Sequence, residues 1–160
     1  MKPLTITSRL EVYESPEELP QDVQELMQTA VEARESAYAP YSRFKVGAAI
    51  ILENNKVVIG SNQENASYPS GLCAERTAVY AAGARYPDVR ILKIVITARS
   101  LRHQVVSPVP PCGACRQALV EYEVKQDEPI ELYFMGETGK VVKADSVKDL
   151  LPLVFDNSCL

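Results

Sequence analysis

The eight residues 91-ILKIVITA-98 hold a single charge, and the others are apolar or β-branched. A strand of this composition has no polar face to turn to water, so it needs cover on both sides. It therefore belongs inside a sheet that carries helices on its faces. The first helix is marked by apolar residues at Val23, Leu26, Met27, Ala30, Ala33 and Ala37, the spacing of one helix face, and it must stop before Pro40. Two strands follow, 44-FKVGAAIIL-52 and 57-VVIGSN-62, joined by the polar turn 53-ENNK-56.

The same alternation fills the rest of the chain. After the loop 63-QENASYPSGL-72, an Ala-rich helix opens at Cys73 and runs to about Tyr86, just ahead of Pro87. Beyond the long apolar strand, the proline-bearing loop 99-RSLRHQVVSPVPP-111 leads into a second helix, 112-CGACRQALVEYE-123. A hairpin of 129-PIELYFM-135 and 140-KVVKA-144 comes next, and 146-SVKDLLPLVF-155 suggests a short terminal helix. The predicted fold is α/β: a three-layer α/β/α sandwich around a mixed sheet of five strands. With 160 residues, 46% of them apolar, the chain suffices for one domain with a sizeable core and not for two. That domain is placed at residues 21–160. Residues 1–20 form an N-terminal extension, in which 4-LTITSRLEVY-13 is either an added strand or a loose arm.

A formal net charge of −4 argues against a partner built on phosphate backbones, so small neutral molecules fit better than nucleic acid. The N-terminal residues lack the continuous apolar segment of a secretion signal, and no run is long and apolar enough to span a bilayer. The expected location is the cytoplasm, where thiols stay reduced. Cys73, Cys112, Cys115 and Cys159 are then metal ligands, catalytic groups or core residues before they are disulfides.

Cys112 and Cys115 lie three apart at the start of a predicted helix and so share a face. A helix N-terminus offers free amides and the positive end of a dipole, which favour thiolates. Cys73 stands in the same kind of place on the other helix. If the two helix starts lie side by side, three thiolates converge on one metal, for which Zn²⁺ is the expected occupant. Three protein ligands leave a fourth position open to water, the arrangement of a catalytic zinc. Glu75, two residues beyond Cys73, is turned away from the ligand face and free to move protons. Arg76 falls on the ligand's own face, where a guanidinium would offset the negative charge of three thiolates, and Arg116 is placed to assist from the other helix. The residues alone leave alternatives open. A C-x-x-C also serves redox pairs and structural zinc knuckles, Glu75 and Arg76 are also what an exposed charged pair looks like, and Cys159 and His103 are spare candidate ligands.

C-A-E at 73–75 with P-C-x-x-C at 111–115 resembles the zinc nucleoside and base deaminases. More narrowly, 38-YAPYSRFKVGAAI-50, 62-NQENASYPSGLCAERTA-78, 111-PCGACRQ-117 and 151-LPLVF-155 resemble the short, homotetrameric cytidine deaminases, in order and from about residue 21 to residue 155. The extension lies outside that likeness. The resemblance implies a cytidine deaminase-like fold, with Cys73, Cys112 and Cys115 holding one Zn²⁺ per subunit and Glu75 as the proton shuttle. It also implies that Asn62 and Glu64 hold the ribose hydroxyls, that Phe44 packs on the pyrimidine and that the Ala74 amide binds the base carbonyl. Phe155 would reach a neighbouring subunit's site. The implied reaction is hydrolytic deamination of cytidine and 2′-deoxycytidine to the uridine nucleosides and ammonia, in pyrimidine salvage.

Overall fold

A computed structural model describes all 160 residues. Six strands form one sheet in the order β1-β6-β5-β4-β2-β3: β1 (Leu10–Tyr13), β2 (Phe44–Leu52), β3 (Val57–Ser61), β4 (Ile91–Ser100), β5 (Glu131–Met135) and β6 (Val141–Ala144). The three helices are α1 (Gln21–Glu35), α2 (Ala74–Arg85) and α3 (Gly113–Gln126). None is long and apolar enough to cross a membrane.

The apolar run at 91–98 is β4, paired to β2 on one side and β5 on the other, with Ile94, Val95 and Ile96 at most 1% exposed. Its alternate side chains feed two cores. Val95 joins Val23, Met27 and Ala30 of α1 with Ala49, Tyr133 and Met135. Ile94 and Ile96 join Ala78 and Val79 of α2, Leu119 and Val120 of α3, and Ile50, Leu132 and Phe134. The layers are therefore α1, the sheet, and then α2 with α3.

Topology explains that division and places the site. Strands β2 and β3 are antiparallel, as are β2 and β4, so β3 runs the same way as β4; β4 and β5 are parallel. The crossovers β3-α2-β4 and β4-α3-β5 step across the sheet in one direction, and right-handed connections then put both helices on one face. Both helices follow strands of the same sense, so both start at the same edge of the sheet. Gly60 permits the close seating of α2 on β3: a Cβ there would stand 2.6 Å from the Ala78 amide nitrogen and closer still to the Ala74 carbonyl oxygen.

Two elements differ from expectation. The sheet has six strands because Leu10–Tyr13 pairs antiparallel with β6, so this part of the extension is the added strand and not a loose arm. The terminal segment makes only a 3-10 turn, Val147–Leu150, and then an irregular stretch. Pro152 cannot continue a helix, and Leu153 takes a left-handed φ of 59°.

Candidate active site

Cys73 and Cys112 are the N-caps of α2 and α3, and neither side chain caps its own helix. Both sulfurs are thereby free to point outward, and Cys115, in the first turn of α3, joins them. Cys73 Sγ and Cys112 Sγ are 4.0 Å apart, Cys112 Sγ and Cys115 Sγ 3.5 Å, and all three lie within 4.8 Å of one another. Tetrahedral zinc with bonds of about 2.3 Å sets sulfur atoms roughly 3.8 Å apart, close to the two shorter separations in the cluster. The thiol of Cys115 holds Cys73 down to about 5 against the effect of burial, and the Arg76 guanidinium adds to the shift. Cys115 is pushed the opposite way, as the donor to Cys73 and as a buried thiol. Cys159 and His103 lie outside the cluster.

Glu75 follows in the first turn of α2 and is 5% exposed. Burial pushes its carboxyl above the ordinary carboxylate range, its own backbone amide pulls the other way, and Cys73 pushes it further up. A carboxyl in this environment can both take and give a proton. Arg76 places Nη2 3.5 Å from Cys73 Sγ, as its position on the ligand face requires.

A cleft of about 770 Å³ opens in front of these groups, lined by Glu75, Cys73, Cys112, Arg76, Phe44, Asn62 and Glu64 together with loop residues. Residues 20–127 match the model of the cytidine and deoxycytidylate deaminase zinc-binding region. The chain belongs to this family. It is 41% identical over 136 residues to a cytidine deaminase of Halalkalibacterium halodurans, covering 84% of this chain and 94% of that one. It is 42% identical over 139 residues to a cytidine deaminase of Sporosarcina psychrophila, covering 87% and 95%. Among solved structures, the cytidine deaminase from Burkholderia pseudomallei superposes with a TM-score of 0.71 at 38% identity, covering 86% of this chain and all of that one. Membership makes this chain a zinc-binding hydrolytic deaminase, and the cluster of Cys73, Cys112 and Cys115 is compatible with zinc binding.

Within the deaminase fold the remaining residues of interest are placed unevenly. Ala74 is fully buried at the first position of α2, where a backbone amide has no intrahelical partner. The Asn62 side chain braces β2, its Oδ1 accepting from the Val46 amide at 2.8 Å and its Nδ2 donating to the Phe44 carbonyl at 2.9 Å. Glu64 Oε2 accepts from the amides of Tyr41 at 2.9 Å and Ser42 at 3.3 Å. Burial opposes these bonds, yet Ser42 and the two amides win and hold the Glu64 carboxyl below its usual range.

Arg116 and Phe155 are not in the cleft. Arg116 donates to the Pro111 carbonyl at 2.8 Å and the Leu150 carbonyl at 3.0 Å, and not to sulfur. Phe155 is 59% exposed. The sequence does not single out Tyr41, Tyr68, Leu72, Val109 and Pro110, which also line the cleft. The signal for them was large apolar side chains inside loops rich in Pro, Ser and Asn, where no core explains them. The Tyr41 and Tyr68 rings meet at 6.1 Å.

Proposed function

We propose that this deaminase acts on cytidine and 2′-deoxycytidine, releasing ammonia and the uridine nucleoside, in pyrimidine salvage in the cytoplasm. The observation that carries the reading is the meeting of Glu75 and the three-sulfur cluster with Phe44, Asn62 and Glu64 in one cleft. Zinc, when bound, supplies the Lewis acid that makes water a nucleophile at neutral pH. The work of this chain is to place the base and move protons. Glu75 takes a proton from the attacking water and gives it to ring nitrogen N3. As the C4–N bond breaks, the same carboxyl passes the second proton to the amine, so ammonia leaves and C4 keeps the oxygen. The Ala74 amide, at the positive end of α2, holds the base carbonyl, and Phe44 packs on the ring. The free N–H of Asn62 and the second oxygen of Glu64 take the ribose hydroxyls.

Charge favours a nucleoside over a nucleotide. Arg76 is the sole cation of the lining and is occupied at Cys73 Sγ, while Glu64 holds its negative charge there. A 5′-phosphate would find no partner and one repelling group. We further assign the deaminase domain to residues 21–160, with residues 1–20 as an extension. The assembly is a homotetramer in which Phe155, exposed on its own subunit, completes a neighbour's site.

The test follows absorbance loss with cytidine, 2′-deoxycytidine, deoxycytidine 5′-phosphate and free cytosine on zinc-replete protein. Turnover of the two nucleosides alone is the expected result. Preference for the phosphate or the free base would overturn the substrate assignment.

A further inference from the structure

Helix α3 carries two of the three sulfurs at its start, and along the rest of its length it grips the end of the chain. Near its far end the Glu123 carboxylate, 2% exposed, accepts from the Ile130 amide at 2.9 Å, the Ser146 hydroxyl at 2.6 Å and the Val147 amide at 2.8 Å. Closer to the sulfurs, Arg116 Nη1 donates to the Leu150 carbonyl at 3.0 Å and Gln117 Nε2 to the Phe155 carbonyl at 2.9 Å. Residues 146–155 therefore run back along the helix toward its metal end. The rise between the levels of Glu123 and Arg116 is about 10 Å.

Arg116 holds a second strand of backbone as well. Its Nε donates at 2.8 Å to the carbonyl of Pro111, the residue immediately before Cys112. One planar guanidinium thus ties the loop that presents a metal ligand to the segment that ends at Phe155. A fork of this kind fixes two acceptors relative to each other, which a single ammonium on a flexible stem cannot do.

We propose that Arg116 is a positioning residue that locks the Cys112-bearing loop and residues 146–155 into one unit, so that the metal cluster and Phe155 keep a set spacing. This rests on the assignment of Cys112 to the metal and of Phe155 to a neighbour's site. Arg116 acts through two carbonyls, and the charge it carries is secondary.

The experiment compares zinc-loaded parent, Arg116→Lys, Arg116→Met and Gln117→Ala. Zinc release to a chromogenic chelator and amide hydrogen exchange over residues 146–160 are both read without substrate, so a wrong substrate assignment leaves these readouts intact. Both Arg116 variants are expected to release zinc on the order of tenfold faster and to lose protection across 147–155. Gln117→Ala is expected to lose protection near Phe155 while releasing zinc at the parental rate. Should Arg116→Met fail to fold, Arg116→Lys decides, because it keeps the stem and the charge. Parental release and exchange in Arg116→Lys would overturn the proposal, since charge alone would then suffice. Faster zinc release with the segment still protected would overturn it too.

Discussion

The starts of α2 and α3 look alike in sequence and differ in use. Each is capped by a cysteine, and each carries an arginine within four residues of that cap. Two residues past the cap, α2 has Glu75 and α3 has Ala114. Glu75 is buried and Ala114 is exposed: α2 begins against β3, where Gly60 lets it sit close, whereas at the first residue of α3 a Cβ on Gly113 would meet nothing within 4 Å. The arginines diverge likewise: Arg76 reaches sulfur and Arg116 reaches backbone. Helix starts of one kind thus supply one sulfur and a buried acid in one case, and two sulfurs with an arginine tied to backbone in the other. Surroundings, more than position in the motif, decide what a charged side chain does.

The largest effect that can break this comparison lies at the acid. Glu75→Gln should keep zinc, by metal analysis, and lower kcat by roughly a thousandfold or more. Moving the acid to the other helix, as Glu75→Gln with Ala114→Glu, should restore nothing, and recovered turnover would mean that proximity outweighs burial.

Next come the arginines. Arg76→Ala should lower kcat by about tenfold and raise the acid limb of its pH profile, because the thiolates then withdraw more of the metal's power to acidify water. Arg116→Lys should leave that limb in place. Coincident profiles for the two variants would erase the distinction drawn between them.

The seating of the helices should show in stability. Gly60→Ala forces a Cβ into the backbone of α2 and should cost about 1–3 kcal/mol in denaturant unfolding. A Cβ at Gly113, the first residue of α3, meets nothing within 4 Å, so Gly113→Ala should stay within about 0.5 kcal/mol of the parent. Equal losses would show that α3 is seated as tightly as α2.

The smallest effect belongs to Glu64, across the cleft. Its carboxyl is held low, so its contribution is complete above the ordinary carboxylate value of about 4.3 and is lost as pH falls through the folded value. Glu64→Gln should therefore be less stable than the parent by about 1 kcal/mol or less at pH 7, with the gap closing in acid. A gap that widens in acid would reverse the sign assigned here.

Much of this was legible from the chain alone, for identifiable reasons. Strand β2 follows from an apolar run broken only by the charge of Lys45, and β4 from one broken only by that of Lys93. The face of α1 follows from its spacing, since Val23, Leu26, Met27, Ala30 and Ala33 are all buried. The metal cluster follows from thiols at two helix starts. What stayed hidden depends on partners distant in sequence. The carbonyls that Arg116 binds belong to residues 5 and 34 positions away, and nothing in 111-PCGACRQ-117 names the second. Asn62 could be matched to a ribose contact, but its bracing of β2 is a tertiary bond across 16 and 18 residues. The terminal helix was suggested by apolar spacing, and Pro152 with the left-handed Leu153 overrides it.

Strand β1 changes how one molecule meets another in a crowded solution. Without it, the backbone of Val141–Ala144 would be the open rim of the sheet, a template for any extended segment that passed by. Four residues close that rim, pinned by Glu11 to Lys143 at 3.5 Å and Glu14 to Lys140 at 3.0 Å, and the rim they leave in its place is short and flanked by charge. The added strand thus trades an edge beside the core for one whose neighbours carry charge, which makes pairing with another chain less favourable.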